Sequence, residues 1–546
     1  MIIKLLNNSD KNLFVGLAGP GTGKSHTFKT IINSGEFKGK KILILSFINK
    51  LVNDLEREFD DFDNVRVSTL HSFALQKYKN LFRETTIELE QDLDGLISED
   101  YFYINKEKIS YEARLCEGNL DKEEEEFYLG RAEFYSNEGK LYSFNSIIHA
   151  VNSIFSNNND KIPDEYDLIL VDEFQDFNQL EYNLIKLLNK KNKVILVGDD
   201  DQSLYDWKHA RPELIRALYN HEGTGEFSLD FCYRCTQVVV DAVNSLISNA
   251  KSDGYLQDRA DEKKFLYPTE RTDDKNEISA KHSCIDFVSG VSGHQLIYQL
   301  ATRIRKEVEE HNGGRVLVLV PSFLKQSIYE GLSGEGFNVV EFELFGNEGR
   351  NKIKHKYLIE AFKTLAIRKT DNLMLRKIIP LYLSDSEIRK LIINCDNLQK
   401  KIWYVLDGET KVRIEQDIAL FKKAKQGKTE LTADELKRFS EIFNLKNLIS
   451  KMIKGFAPNT RGAIEVEMTT VMSSKGLSAD FVYYIGVDDY IMLDKETGEL
   501  TDQKICEFLV GITRAKKKLT LFSANEGEPV ILKFIDSKFV RRSKTK

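Results

Sequence analysis

The octapeptide Ala18-Gly-Pro-Gly-Thr-Gly-Lys24-Ser25 most restricts what this chain can become. An apolar run, Leu13–Gly19, precedes it, and a helical stretch, SHTFKTII, follows it. A buried strand, a glycine-rich turn and a helix start in that order form a P-loop, here with Ala18 where a glycine usually stands. The glycines let backbone N–H groups turn inward on an anion, and the helix start adds its own positive end. Ala18, Gly19, Gly21, Thr22, Gly23, Lys24, Ser25 and His26 are therefore the candidate phosphate cradle. Lys24 is placed to neutralise the outer phosphates of ATP and Ser25 to hold Mg²⁺.

A P-loop needs a parallel sheet around it, and the sequence supplies one. Lys41–Phe47, Asp167–Asp172 and Lys193–Gly198 read as further buried strands, each followed by turn or helix chemistry, an α/β pattern. A second set, Cys284–Ser289, Arg315–Val320, Phe337–Phe342, Ile464–Val471, Phe481–Val487 and Lys518–Phe522, reads as a second α/β domain. Two charged stretches with helical apolar spacing interrupt this rhythm, residues 74–161 and 349–460, the latter clearest in Leu373–Leu383 and Leu436–Ile453. At 546 residues several domains are expected. The order is a first α/β domain from 1–73 and 162–225 interrupted by 74–161, then a second from 226–348 and 461–546 interrupted by 349–460. The short start MIIKLL reads as a strand or edge segment, and the basic tail from Arg541 to Lys546 as a frayed terminus.

Composition removes other classes. A formal charge of −7 argues against a basic protein that coats nucleic acid, though not against a local basic channel. No apolar run is long enough to span a bilayer and no signal peptide is evident, so no membrane partner is expected. Six cysteines in a chain this long do not make a disulfide scaffold, and a reducing cytoplasm is the default location. Cys232 and Cys235 have CxxC spacing without a second pair nearby, which argues against a metal or redox role. The acidic run Glu123 to Glu126 reads as a solvated helix face.

Leu168-Ile-Leu-Val-Asp172-Glu173 ends a strand in two carboxylates. Asp172 can hold Mg²⁺ through water, and Glu173 can orient or deprotonate an attacking water. Four more stretches complete an ordered series: LSFINK (Leu45 to Lys50), STLHSF (Ser68 to Phe73), VGDDDQSLYDW (Val197 to Trp207) and GITRAKKKL (Gly511 to Leu519). DEFQD with VGDDDQSLYDW, and TRA near the end, resembles superfamily 1A helicases of the UvrD/Rep/PcrA type. The resemblance runs from Ala18 to Leu519. It implies two RecA-like P-loop NTPase domains with parallel sheets, ATP between them, and a mainly helical insertion in each, the second one reduced.

The resemblance assigns further roles. Gln202 stands where the family senses the γ-phosphate. Tyr233 would stack on the nucleotide base and Arg234 reach the γ-phosphate. Arg514 resembles the arginine finger offered from the second RecA-like domain, where a guanidinium fork matches phosphoryl oxygens. Gly476, in TVMSSKGL, belongs to a motif that links the strand to the ATP site. Phe47, Tyr205 and Trp207 lie in motifs that stack on successive bases, a contact that tolerates any sequence. Asn49, Thr69 and His71 join them as DNA contacts, with Thr69, His71 and Ser72 suited to backbone phosphates. Single-stranded DNA and duplex junctions are the implied substrates, and 3′→5′ the implied direction.

The chain departs from the family pattern in places. The usual upstream Gln that reads adenine is missing, Met472 and Ser478 replace a usual His and acid, and Lys208 follows Trp207 where Arg is usual. No nuclease segment is expected after the last motif. The compact form also resembles the stand-alone helicases of two-gene bacterial defence systems such as Gabija, which would make the chain a partner-regulated, DNA-sensing ATPase beside a separate nuclease subunit. An RNA-directed motor is a third reading.

Overall fold

In the computed structural model the chain is described except at residues 1, 47–48, 84–85, 138, 205–207, 261–262, 271–273, 342–349, 427–430, 444–463 and 545–546. Contacts divide it into two units. The first comprises Met1–Leu70, Ile162–Phe345 and Asn459–Lys546; the second comprises His71–Lys161 and Gly346–Pro458.

The first unit holds two wholly parallel sheets. In one, β1 (Leu13–Ala18), β2 (Ile42–Ser46), β3 (Val65–Thr69), β6 (Leu168–Val171), β7 (Lys193–Gly198) and β8 (Thr224–Leu229) lie in the order β3-β2-β6-β7-β1-β8. The central strands are apolar on both faces, as a parallel sheet covered by helices requires. Because β7 lies between β1 and β6, the loops that leave the carboxyl ends of these three strands meet at one edge, where open α/β sheets bind ligands. The other sheet contains β9 (Ile285–Ser289), β10 (Val316–Leu319), β11 (Asn338–Glu341), β12 (Glu465–Thr469), β13 (Ala479–Ile485), β14 (Ala515–Phe522) and β15 (Val540–Lys544), in the order β11-β12-β10-β13-β14-β9-β15. Helices Gln237–Ser252 and Asp502–Ile512 pack one of its cores, and helix Gly293–Glu310 packs the other. The expected α/β class with parallel sheets holds.

The second unit is mainly helical, with one short parallel pair, β4 (Ile87–Leu89) and β5 (Lys140–Tyr142). Its single core draws Leu93, Ile97, Tyr111 and Tyr135 from one excursion of the chain, and Phe362, Leu375, Ile392 and Trp403 from the other. Buried polar links join the two excursions: Asn372 donates to the Phe134 carbonyl at 2.7 Å, and Arg376 to Asp100 at 3.4 Å.

Three local expectations are corrected. MIIKLL lies in a helix, Ile2–Asn8, because Ile2 and Leu6, four residues apart, bury one face. Over its described residues the basic tail is a strand: Val540–Lys544 pairs with β9, and Arg541 Nη2 lies 2.6 Å from Asp286. Glu123 and Glu126 are exposed as expected, but Glu124 closes a capping box with Asp121 at the start of helix Lys122–Tyr135 and is buried.

Candidate active site

The P-loop leaves β1 at Ala18 and enters helix Lys24–Ile32. Gly21 and Gly23 take φ of 70° and 87°, a left-handed conformation that suits glycine, and the Thr22 hydroxyl bonds back to the Gly19 carbonyl at 2.9 Å. Lys24 points across to the end of β6, where its Nζ lies 2.9 Å from Glu173. Glu173 itself sits at φ 53°, an uncommon backbone for a non-glycine residue and one that the surrounding bonds hold in place.

From Glu173 a chain of hydrogen bonds runs to the second sheet. Gln175 donates to Glu173 at 2.7 Å and accepts from the Asp199 backbone N–H at 2.9 Å. Gln202 donates to Asp199 at 2.5 Å, and Arg514 donates to the Gln202 amide oxygen at 3.0 Å. Gly198 makes this path possible, since a Cβ there would lie 2.5 Å from the Gln175 amide oxygen. Arg514 stands just before β14 and also donates to the Val510 and Leu477 carbonyls, at 2.9 and 3.2 Å. Lys475 makes a second crossing: its Nζ lies 2.5 Å from Asp176, bonds the Gln202 carbonyl at 2.8 Å, and lies 3.9 Å from Glu173.

The electrostatics follow from burial. Glu173 is buried, which disfavours its charge, but Lys24 and Lys475 outweigh that and hold its carboxyl below the usual range. Asp172 is pushed up to about 7 by burial and by the neighbouring Glu173 charge. Burial, reinforced by Arg234, lowers Arg514 to about 9, so it remains a cation at neutral pH and lacks a full counter-charge. A buried, under-compensated guanidinium facing a cavity is suited to a phosphate oxygen.

That cavity has a volume of about 680 Å³, ample for a nucleotide. It gathers most of the sequence candidates: Gly21, Thr22, Gly23, Lys24, Ser25 and His26 from the P-loop, Asp172 and Glu173 from β6, Gln202, and Tyr233, Arg234, Gly476 and Arg514 from the second half of the unit. Tyr233 donates its backbone N–H to the Gly21 carbonyl at 2.9 Å and leaves its side chain exposed. Ala18 is buried at the strand end, and Gly19 lines a neighbouring small cavity with Asp199 and Gln202. Thr69 is buried at the end of β3. His71 belongs to the second unit, where its ring meets Phe144 edge-on at 5.5 Å. Phe47, Tyr205 and Trp207 lie outside the described residues, as does the side chain of Asn49.

Some residues of the site gave no sequence signal. Lys263 is buried with its ammonium within 2.6 Å of Asp199, Asp200 and Asp201, and fixes the acidic loop after β7. The run of three aspartates was visible; its partner 64 residues away was not. Lys516 and Lys517 also line the cavity, and the KKK run was their only mark.

Two family comparisons bear on this geometry. The UvrD/REP helicase N-terminal domain matches residues 99–222, and the UvrD-like helicase C-terminal domain matches residues 408–526. Over these two segments the chain is similar to UvrD-like helicases. Among the relatives of this UvrD-like chain, the probable DNA helicase II homolog of Mycoplasma genitalium is 39% identical over 22% of this chain and 18% of its own length. DNA helicase II of Haemophilus influenzae is 25% identical over 65% of this chain and 54% of its own length. The probable DNA helicase II homolog of Mycoplasma pneumoniae is 24% identical over 97% of this chain and 84% of its own length. The chain thus spans less than two thirds of the length of the first two of these relatives. No helix among the described residues is long and apolar enough to cross a membrane.

Proposed function

We propose that this UvrD-like chain is an ATP- and Mg²⁺-dependent motor that moves 3′→5′ along single-stranded DNA and opens duplex junctions. The observation that carries the reading is the hydrogen-bonded path from Glu173 through Gln175, Asp199 and Gln202 to Arg514, which joins one sheet to the other across a P-loop cavity. The donor set fits a magnesium nucleotide: a P-loop lining the cavity, one lysine, and the Ser25 hydroxyl and Asp172 carboxylate that would hold the ion. With the nucleotide bound, Mg²⁺ would neutralise charge on the outer phosphates. Lys24 would exchange Glu173 for a phosphate oxygen. Glu173, released from that ion pair, would orient the attacking water. Arg234 and Arg514 would balance charge on the transferred group.

Loss of the γ-phosphate would then be felt at Gln202, and through its carbonyl at Lys475, so that each turnover alters how the two sheets are tied. Direction of movement rests on the family resemblance, as do DNA contacts at Phe47, Asn49, Thr69, His71, Tyr205 and Trp207. A pocket for the base is supported by the exposed Tyr233 ring beside Ile278 and Asp274, which also line the cavity.

The test is ATP hydrolysis by the purified chain with and without single-stranded DNA, beside Lys24→Ala. Strong stimulation that vanishes in the variant is expected. Displacement should require a 3′ tail; a requirement for a 5′ tail would reverse the polarity. Hydrolysis indifferent to DNA would sink the motor reading and favour an RNA-directed or partner-controlled ATPase, including one that works beside a nuclease.

A further inference from the structure

Away from the nucleotide cavity, His282, Glu307 and His311 converge beneath the second sheet of the first unit. His282 ends the short helix Lys275–Lys281, whose Lys275 and Ile278 line the nucleotide cavity, and His311 ends helix Gly293–Glu310. The two imidazoles stack with centroids 5.1 Å apart, and their Nε2 atoms are 3.1 Å apart. His311 Nδ1 lies 2.8 Å from the Glu307 carbonyl, so this nitrogen carries the proton and the Nε2 lone pair points at His282. Such an orienting bond to a carbonyl is what a metal-ligating histidine usually makes.

Glu307 supplies the third group. It is buried, Lys518 holds its Oε1, and its Oε2 has no hydrogen-bond partner among the described residues. Buried polar atoms are seldom left so, and an ion or water normally accounts for the exceptions. Asp286 Oδ2, Arg303 Nε and Tyr483 Oη are also buried without hydrogen-bond partners among the described residues. Lys518 also lies 3.3 Å from Asp286, so two carboxylates face it and the site is not dominated by its charge. One nitrogen from each imidazole and one Glu307 oxygen lie within 4.8 Å of one another. A tetrahedral zinc with Zn–N of about 2.0–2.1 Å separates two imidazole nitrogens by about 3.3 Å, close to the spacing seen.

We propose that His282, Glu307 and His311 form a binding site for a divalent transition-metal ion of the zinc class, which clips the end of the helix lining the nucleotide cavity to the end of helix Gly293–Glu310. Two imidazoles and one carboxylate suit Zn²⁺ and leave a fourth position for water. Mg²⁺, a hard cation that prefers oxygen, would not compete.

The test is zinc titration of the full chain after chelation and in excess Mg²⁺. One saturable equivalent per chain is expected. His282→Gln and Glu307→Gln, each checked for native circular dichroism, should weaken it by about 100-fold or more, beyond the roughly 10–100-fold lost when only an outer partner is removed. Cobalt bound to the unmutated chain gives a readout that needs no variant: visible bands without a thiolate charge-transfer band are expected. Absence of stoichiometric zinc would reduce the pair to a simple hydrogen bond and overturn the site. A thiolate band, or zinc lost only in Cys232→Ser/Cys235→Ser, would place the metal elsewhere and overturn it equally.

Discussion

The two units bury charge for different ends. In the first, buried ions gather where the loops of two sheets meet: Lys475 against Asp176, Lys263 among three aspartates, and Arg514 bonded, among the described residues, to an amide oxygen and two carbonyls. In the second, Asp100 accepts from Arg131 at 2.9 Å and Tyr135 at 2.5 Å and faces Arg376, while Lys377 meets Glu90 at 2.6 Å. Around Asp100 and Glu90 each buried charge has an opposite one, and the partners come from both excursions of the chain. Incomplete compensation keeps a site ready for an anion and able to rearrange. Complete compensation fixes one packing.

The contrast can be broken most severely at Arg514. Arg514→Ala should lower ATP turnover by about 10³–10⁵ while the chain stays folded, and Arg514→Lys should recover little, because an ammonium does not reproduce the fork. Steady-state hydrolysis and circular dichroism measured together would decide it; a mild defect would make Arg514 a structural residue. Next comes Glu173→Gln, expected to lower turnover by about 10²–10⁴ yet retain nucleotide binding, read by fluorescent-nucleotide titration. Full turnover would remove Glu173 from the chemistry. In the second unit the effect should appear in stability instead. Asp100→Ala removes the acidic partner of the buried Arg131 and leaves Arg376 to Glu99, and should cost about 3–5 kcal/mol in urea unfolding while leaving basal hydrolysis unchanged. If hydrolysis falls and unfolding does not move, the comparison fails. The smallest effect belongs to Lys122→Ala, which removes an exposed pair with Glu126 and should change stability by less than about 0.5 kcal/mol.

Much of the first unit was legible because its signals are local. Apolar runs of four to six residues set β1, β2, β6 and β7, and the glycines and acids that follow them mark the loops around the cavity. What stayed hidden depends on distant partners. Lys475 stood in a quoted motif, but nothing in its neighbourhood announces Asp176, 299 residues away. VRRSK reads as a loose basic tail until Asp286 on β9 supplies the counter-charge that lets it pair. Ile2 and Leu6 satisfy a strand or a helix equally in so short a run, and tertiary burial chose the helix. The common core of residues 74–161 and 349–460 has no local sign at all; each stretch alone looks like a separate amphipathic bundle.

That common core also sets an order of events on the ribosome. Leu93, Ile97 and Tyr111 emerge early, but Phe362, Leu375 and Trp403, which cover them, are made only after residues 162–345. At synthesis rates of 5–20 residues per second the delay is roughly ten to forty seconds. The nascent chain therefore carries a half-built apolar face while its first parallel sheet is being completed, and that interval is when it is most exposed to aggregation and most in need of a chaperone.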